Sequence, residues 1–424
     1  MEVTVLFLVF VLGLILGIPI AVTLGLSSLI YIIISDLPAV IMPQKMYAGM
    51  DVFVLLSIPG FILAGNLMNH GGITNRIVRF ANSIVGWIKG GLGLTNIAAS
   101  MLFGGITGTA VADAASIGGV MIPGMKKAGY PADFSAAVTA ASSTVGPIIP
   151  PSVPMIIVGA LSGISVGQMF LAGAIPGILM GLAMMVTAYF ISIKNGYPSQ
   201  SWMGLGEVIK SFGHAFWALA MTFLIIYGLL SGFSTPTETA VVASLYAFVV
   251  GAFIYGELPL RAVPKIIIDS AISASGILIL VGFANVFGWI LVSERIPQAI
   301  AGGVLSITDN KYLVILLINV LLLFVGMFME TIAALIILFV PLLSLATAVG
   351  IEPLHFATFA VLNLMIGLTT PPVGVCLFVC SNIAKISLSQ VVKAILPFLL
   401  TNIMVLLAVS YFPALATWLP SMLK

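Results

Sequence analysis

Two short stretches hold most of the groups that could do chemistry. Gly146-Pro147-Ile148-Ile149-Pro150-Pro151-Ser152 and Thr369-Thr370-Pro371-Pro372-Val373 set prolines inside long apolar runs. Proline has no N–H for the carbonyl four residues earlier, so a helix through either stretch must break. The first break is expected to free the carbonyls of Ser143, Gly146 and Pro147, and the second those of Gly367 and Leu368. With hydroxyls alongside, these are oxygen-only ligand sets. In a low-dielectric medium an unpaired carbonyl costs several kcal/mol, and a dehydrated sodium ion is a suitable partner. A plain proline kink is the alternative. Asp113 and Glu330 also fall inside apolar segments, where a carboxylate costs at least about 2.5 kcal/mol without a partner. They pair, neutralise a cation, carry protons, or cap a hairpin tip. Thr235-Pro236-Thr237-Glu238 has the form of a capping box that starts a helix.

The elements that must position these residues follow from composition. Of 424 residues 61% are hydrophobic and only 7% charged, with a mean hydropathy of +1.25, which no water-soluble fold accommodates. Apolar stretches long enough to cross a bilayer recur along the chain, so the expected fold is all-α and polytopic. Spans are expected at 3–34, 52–69, 133–162, 169–193, 214–231, 237–255, 266–293, 355–384 and 391–412. The segments 92–124 and 312–346 are different. Gly104-Gly105-Ile106-Thr107-Gly108 splits the first into limbs too short to span alone, and both read as re-entrant hairpins. Segments 70–91 and 195–213, with Trp87, Trp202, Lys89 and Lys210, suit interfacial arm helices or ordinary loops. Cys376 and Cys380 lie one turn apart in an apolar segment and the three histidines are scattered, so neither a disulfide framework nor a metal cluster is visible. There is no GxxxxGK[ST] loop and no basic run, which disfavours ATP-driven pumping and nucleic-acid binding. No nucleophile, base and metal constellation points to an enzyme.

With both hairpins in place, Arg76, Arg79, Lys89, Lys126, Lys127, Lys194, Lys210, Arg261, Lys265, Lys385 and Lys393 share one face, and Lys45, Arg295, Lys311 and Lys424 the other. The richer face is expected to be cytoplasmic, and the N-terminus with it. The halves also share landmarks. Pro19 and Pro236 are 217 apart, as are Asp113 and Glu330; Pro131 and Pro353 are 222 apart, Pro150 and Pro371 221. One unmatched span, 214–231, inverts the second copy. The expected organisation is a first repeat at 1–195, a linker arm and extra span at 196–232, and a second repeat at 233–424. Inverted repeats with interrupted helices belong to secondary transporters.

Every Lys and Arg falls in a loop or at a span end, so an anion at mid-membrane has no fixed cation to meet it. Helix N-termini, hydroxyls and bound sodium must supply the positive potential. At about 100 mV, two sodium ions entering with a monoanion leave a net gain of roughly 2.3 kcal/mol, or about 50-fold accumulation.

These residues resemble the large membrane (permease) subunit of tripartite ATP-independent periplasmic (TRAP) transporters. The resemblance covers essentially the whole chain and rests on Gly104 to Asp113, Gly146 to Pro151, Phe233 to Glu238, Gly326-Met327-Phe328-Met329-Glu330 and Thr369 to Gly374. It implies an elevator mechanism, in which hairpins and broken helices move past a scaffold, and two sodium sites. Carried over by position, the first would use Thr107, Asp113, Gly146 and Ile149, and the second Gly326, Glu330, Thr370 and Val373. Substrate would lie near Thr109, Ser142, Ser143 and Thr369. The resemblance also implies a small four-span membrane subunit, a periplasmic binding protein, and import of an organic acid (sialic acid, another sugar acid or a C4-dicarboxylate) across the bacterial inner membrane among its lipids. A stand-alone sodium-coupled anion symporter and an ion channel remain open as rivals.

Overall fold

The computed structural model describes residues 2–422, apart from the side chains of residues 105–107. Lys424 and the side chain of Thr107 therefore lie outside the described residues. The first half contains helices α1 (Glu2–Ile15), α2 (Ile20–Ile34), α3 (Ile41–Met50), α4 (Ser57–His70), α5 (Ile73–Val85), α6 (Gly91–Thr107), α7 (Ala110–Lys127), α8 (Ala132–Ser143), α9 (Val153–Ser162) and α10 (Val166–Asn195). The second contains α11 (Leu205–Leu230), α12 (Pro236–Val249), α13 (Val263–Ser293), α14 (Ile296–Ile307), α15 (Lys311–Gly326), α16 (Thr331–Ala348), α17 (Pro353–Gly367), α18 (Val375–Ala384), α19 (Leu388–Tyr411) and α20 (Ala414–Ser421). Among the described residues, seven helices are long and apolar enough to cross a membrane, or eight if the bent pair α8 and α9 counts as one span.

Segments 92–124 and 312–346 each form an antiparallel helix pair. At the open end of the first, the Leu92 amide donates to the Tyr130 hydroxyl at 3.3 Å. At the open end of the second, Lys311 Nζ donates to the Gly350 carbonyl at 3.0 Å. The two mouths lie at opposite ends of the molecule. Helix α19, about 36 Å long for its 24 residues, connects them. Its start follows Ala384, whose carbonyl accepts from Lys126 at the first mouth, and at its far end the Tyr411 hydroxyl donates to the Tyr312 carbonyl at the second. The hairpins also cross-pack, α7 against α18 and α16 against α9, so each closes against the broken helix of the other half.

The single span expected at 3–34 is instead two helices. Gly17 turns at φ +72°, Pro19 begins α2, and Ser35 Oγ donates to Glu2 at 3.0 Å, so α1 and α2 run side by side in opposite directions. The physical cause is Gly17-Ile18-Pro19, in which glycine takes the left-handed turn and proline cannot continue the preceding helix. This removes the unmatched span, because the pair α11 and α12, joined across Gly232 at φ +67°, is the counterpart of α1 and α2. Among the described residues, each half then carries, besides its hairpin, the pair α1 and α2 or α11 and α12 followed by three further passes, α4, α8 with α9, and α10 in the first and α13, α17 with α18, and α19 in the second. The odd number is what inverts the second half.

Glu2 and Ser35 stand at the same end as Lys311, because Tyr31 on α2 donates its hydroxyl to Glu294 at the end of α13, next to α14 and the second mouth. An N-terminus on one face and Lys45 with Lys311 on the other are therefore mutually exclusive. The charge pattern could not detect this, since no Lys or Arg precedes Lys45.

Of the two expected arms, residues 73–85 form α5, which Arg76 ties to Glu257 (2.7 Å) and Asn82 to Gln200 (2.8 Å). The other, 195–213, is not a separate arm: its last residues open the long α11. The short helices α3, α14 and α20 had no counterpart in the expected spans, being too short to register as apolar crossings.

Candidate functional site

The hairpin tips meet the broken helices where glycine permits backbone to approach backbone. A Cβ placed on Gly104 would lie 2.0 Å from Gly146 Cα, and one on Gly367 2.6 Å from Gly326 Cα. These two glycine pairs are equivalent points of the repeat, 222 and 221 residues apart. They correct the earlier alignment of Asp113 with Glu330.

The residues that cap the second limbs are Thr109 and Glu330. Thr109 Oγ1 accepts from the Ala112 amide (3.4 Å), and Glu330 accepts from the Ile332 (2.9 Å) and Ala333 (3.3 Å) amides. Asp113 sits one turn further into its helix. The two carboxylates consequently have different surroundings. Glu330 is exposed, its carboxylate folded back on its own helix N-terminus. Asp113 is wholly buried, and neither of its oxygens has a hydrogen-bond partner among the described residues. A Cβ on Gly146 would stand 3.5 Å from its carboxylate, so Asp113 faces the backbone of the first break. Ser100, beside it, donates instead to Ser142 Oγ at 3.0 Å.

Both proline stretches break their helices. In the first, a 3-10 turn at Gly146–Ile148 leads to extended backbone at Ile149, and α9 departs at 41°. In the second, the chain is non-helical from Leu368 until Gly374, at φ +58°, starts α18. Several carbonyls expected to be free are occupied, however. Pro147 accepts from the Ser152 hydroxyl, Gly367 from the Thr370 amide (2.9 Å) and Leu368 from the Cys376 amide (3.1 Å). Chain reversal after the break supplies donors that a simple kink would not.

The expected substrate residues are placed unequally. Ser142, Ser143 and Thr369 are fully buried. Ser142 belongs to a network in which Asn96 Nδ2 donates to Thr139 Oγ1 (2.6 Å) and Ser100 to Ser142, while Ser143 donates to Ala140 (2.8 Å). Thr369 and Thr370 both donate to the Ile366 carbonyl at 2.9 Å. The structure thus brings together Asp113 with Gly146, and Gly326 with Gly367; Met327 also accepts from the Gly374 amide (3.4 Å). It does not place Glu330 and Thr370 on a common partner. Asn96, Ser100 and Thr139 were not among the expected residues, although small polar residues inside an apolar helix are the signal of such a network. The Thr235 to Glu238 capping box forms as expected.

Residues 6–415 match the family described as "Tripartite ATP-independent periplasmic transporter, DctM component". The chain belongs to the TRAP transporter large permease family. The permease is 43% identical over 407 residues to the sialic acid TRAP transporter large permease protein SiaM of Vibrio cholerae serotype O1, covering 96% of this chain and 95% of that one. It is 36% identical over 445 residues to the C4-dicarboxylate TRAP transporter large permease protein DctM of the same organism, covering 100% and 98%. Among solved structures it resembles the YdaH transporter of Alcanivorax borkumensis, with a TM-score of 0.58 at 15% identity over 90% of this chain and 88% of that one. That likeness shows a shared all-helical fold. The permease is thus a multi-pass membrane subunit whose relatives are transport proteins rather than enzymes, and membership of a tripartite family implies a small membrane subunit and a periplasmic binding protein.

Proposed function

We propose that the permease carries a small organic acid anion into the cell with sodium, in an elevator movement. The observation that carries this reading is Asp113: a buried carboxylate, without a partner among the described residues, facing main chain at the tip of a hairpin. A charge left so is strongly unfavourable unless a cation joins it. Thr107, Gly146 and Ile149 would complete a first sodium site by position. The residues present fit such an ion there. At the second tip, Gly326, Thr370 and Val373 would serve through main-chain and hydroxyl oxygens, with Glu330 holding the helix end.

Sodium supplies the positive charge that the membrane-buried side chains lack, and substrate would bind between the tips near Thr109, Ser142, Ser143 and Thr369. Cross-packing of the hairpins with the broken helices supports their moving as one body against α2, α4, α12 and α13. The substrate class is an acid such as a sialic acid, another sugar acid or a C4-dicarboxylate, delivered by a periplasmic binding protein to the permease and a separate small four-span subunit in the inner membrane. Taking the Lys- and Arg-rich mouth as cytoplasmic, the N-terminus would lie on the periplasmic face, opposite to the sequence-based expectation, a reading supported by the side-by-side packing of α1 and α2.

Proteoliposomes holding the permease and its small subunit, supplied with the binding protein and a panel of carboxylates, test this. Uptake is expected with sodium and is lost when potassium replaces it. Equal uptake without sodium, or without the binding protein, would overturn the coupling or favour a stand-alone symporter.

A further inference from the structure

A cavity of about 430 Å³ lies between two walls that the site above does not use. One wall is α3 and α13, with Lys45, Asn285 and Trp289; the other is α9 and α16, with Ile157, Leu161 and Val340. Its size is that of a small-molecule site, but its chemistry is divided. Most of the lining is aliphatic, and it includes a single cation. Lys45 Nζ lies 5.2 Å from the centre of the Trp289 ring, and among the described residues it has no acidic partner. Asn285 Nδ2 donates to the Lys45 carbonyl (2.7 Å), which fixes the backbone and leaves the ammonium free. Val292, 50% exposed, continues the apolar wall out to the molecular surface. A polyhydroxylated acid would lose its hydrogen bonds to water against these Val, Ile and Leu side chains. An acyl chain would lose nothing, and an attached phosphate would meet an unpaired ammonium beside a tryptophan, a residue pair typical of the membrane interface.

We infer that this cavity seats an acyl chain of an anionic membrane phospholipid, with its phosphate on Lys45. On the moving-unit reading above, one wall belongs to the scaffold and the other to the hairpin body, so the lipid bridges them and resists their sliding.

Gly288 lines the cavity, and a Cβ added there meets no atom within 4 Å. A side chain at Gly288 therefore starts into open space, and Gly288→Leu would occupy part of the cavity. The test is native mass spectrometry of the permease purified with its small subunit from membranes of mixed phosphatidylglycerol and phosphatidylethanolamine. Wild type is expected to retain one phospholipid, with phosphatidylglycerol preferred about fivefold for one interfacial lysine. Gly288→Leu should lose that lipid, and Lys45→Gln should keep a lipid but lose the preference. Wild type without retained lipid, or Gly288→Leu retaining it as wild type does, would overturn the inference. A preference unchanged in Lys45→Gln would overturn the role of the lysine. None of these readings uses sodium or transport, so they stand apart from the test of the coupling itself.

Discussion

The two hairpin tips share a backbone and differ in their charge. Each presents a glycine to a glycine of the broken helix behind it, 42 residues on at Gly104 and Gly146 and 41 at Gly326 and Gly367. At the first tip a threonine caps the second limb and the carboxylate of Asp113 is left inside, facing main chain. At the second the carboxylate of Glu330 is itself the cap, held by the Ile332 and Ala333 amides, on a residue that reaches the surface. An inverted repeat therefore preserves the geometry that lets a hairpin close on a break, while the carboxylate has moved by one helical turn between the copies. Equivalent architecture gives inequivalent electrostatics, because a side chain four residues away on a helix reaches a different neighbour.

The largest expected effect that can break this contrast is at the carboxylates. Asp113→Asn should lower sodium-driven uptake by about 100-fold or more, since the buried charge is what demands the cation. Glu330→Gln should cost about tenfold or less, in line with loss of a helix cap. Uptake assays at varied sodium decide it, and equal losses would show that the two carboxylates act alike.

Next are the glycines. Gly104→Ala would put a methyl 2.0 Å from Gly146 Cα, whereas Gly326→Ala would put one 3.1 Å from Gly367 Cα. The first should open its tip and abolish uptake, and the second should leave a measurable fraction; thermal unfolding in detergent should show the same order. A smaller effect is expected behind the first tip, where Ser100→Ala removes a buried hydroxyl from the Ser142 network at about 1 kcal/mol. Because Ser100 adjoins Asp113, its apparent sodium affinity should shift as well; a stability change alone would make the network purely structural. The smallest effect on sodium coupling is expected for Thr109→Ala: the lost cap costs about 1 kcal/mol by thermal unfolding and the apparent substrate affinity falls, because Thr109 is proposed to lie beside the substrate, while sodium dependence is unchanged.

Much of this was legible in the residues. Sparse charge and recurrent apolar lengths suffice for an all-helical membrane protein, because a bilayer leaves the backbone few ways to satisfy itself. Limb lengths either side of Gly104 to Gly108 specified the first hairpin, proline doublets the breaks, and Thr235 with Glu238 a cap that forms as expected. These are local rules of length, missing donors and capping, and they need no knowledge of the neighbours.

What tertiary structure alone decided was how segments meet. The run from Val3 to Ile34 is apolar throughout, and hydropathy cannot distinguish one long helix from two short ones, so the turn at Gly17 emerged only with Glu2 packed beside Ser35. The offset of 217 between Asp113 and Glu330 was a coincidence of spacing, corrected by the glycine contacts across the chain. The carbonyls of Pro147, Gly367 and Leu368 found donors supplied by the path of the chain after each break. Glu330 finds its partners two and three residues on, but the burial of Asp113 against Gly146 depends on atoms more than 30 residues away, and that separation lies beyond anything a local pattern encodes.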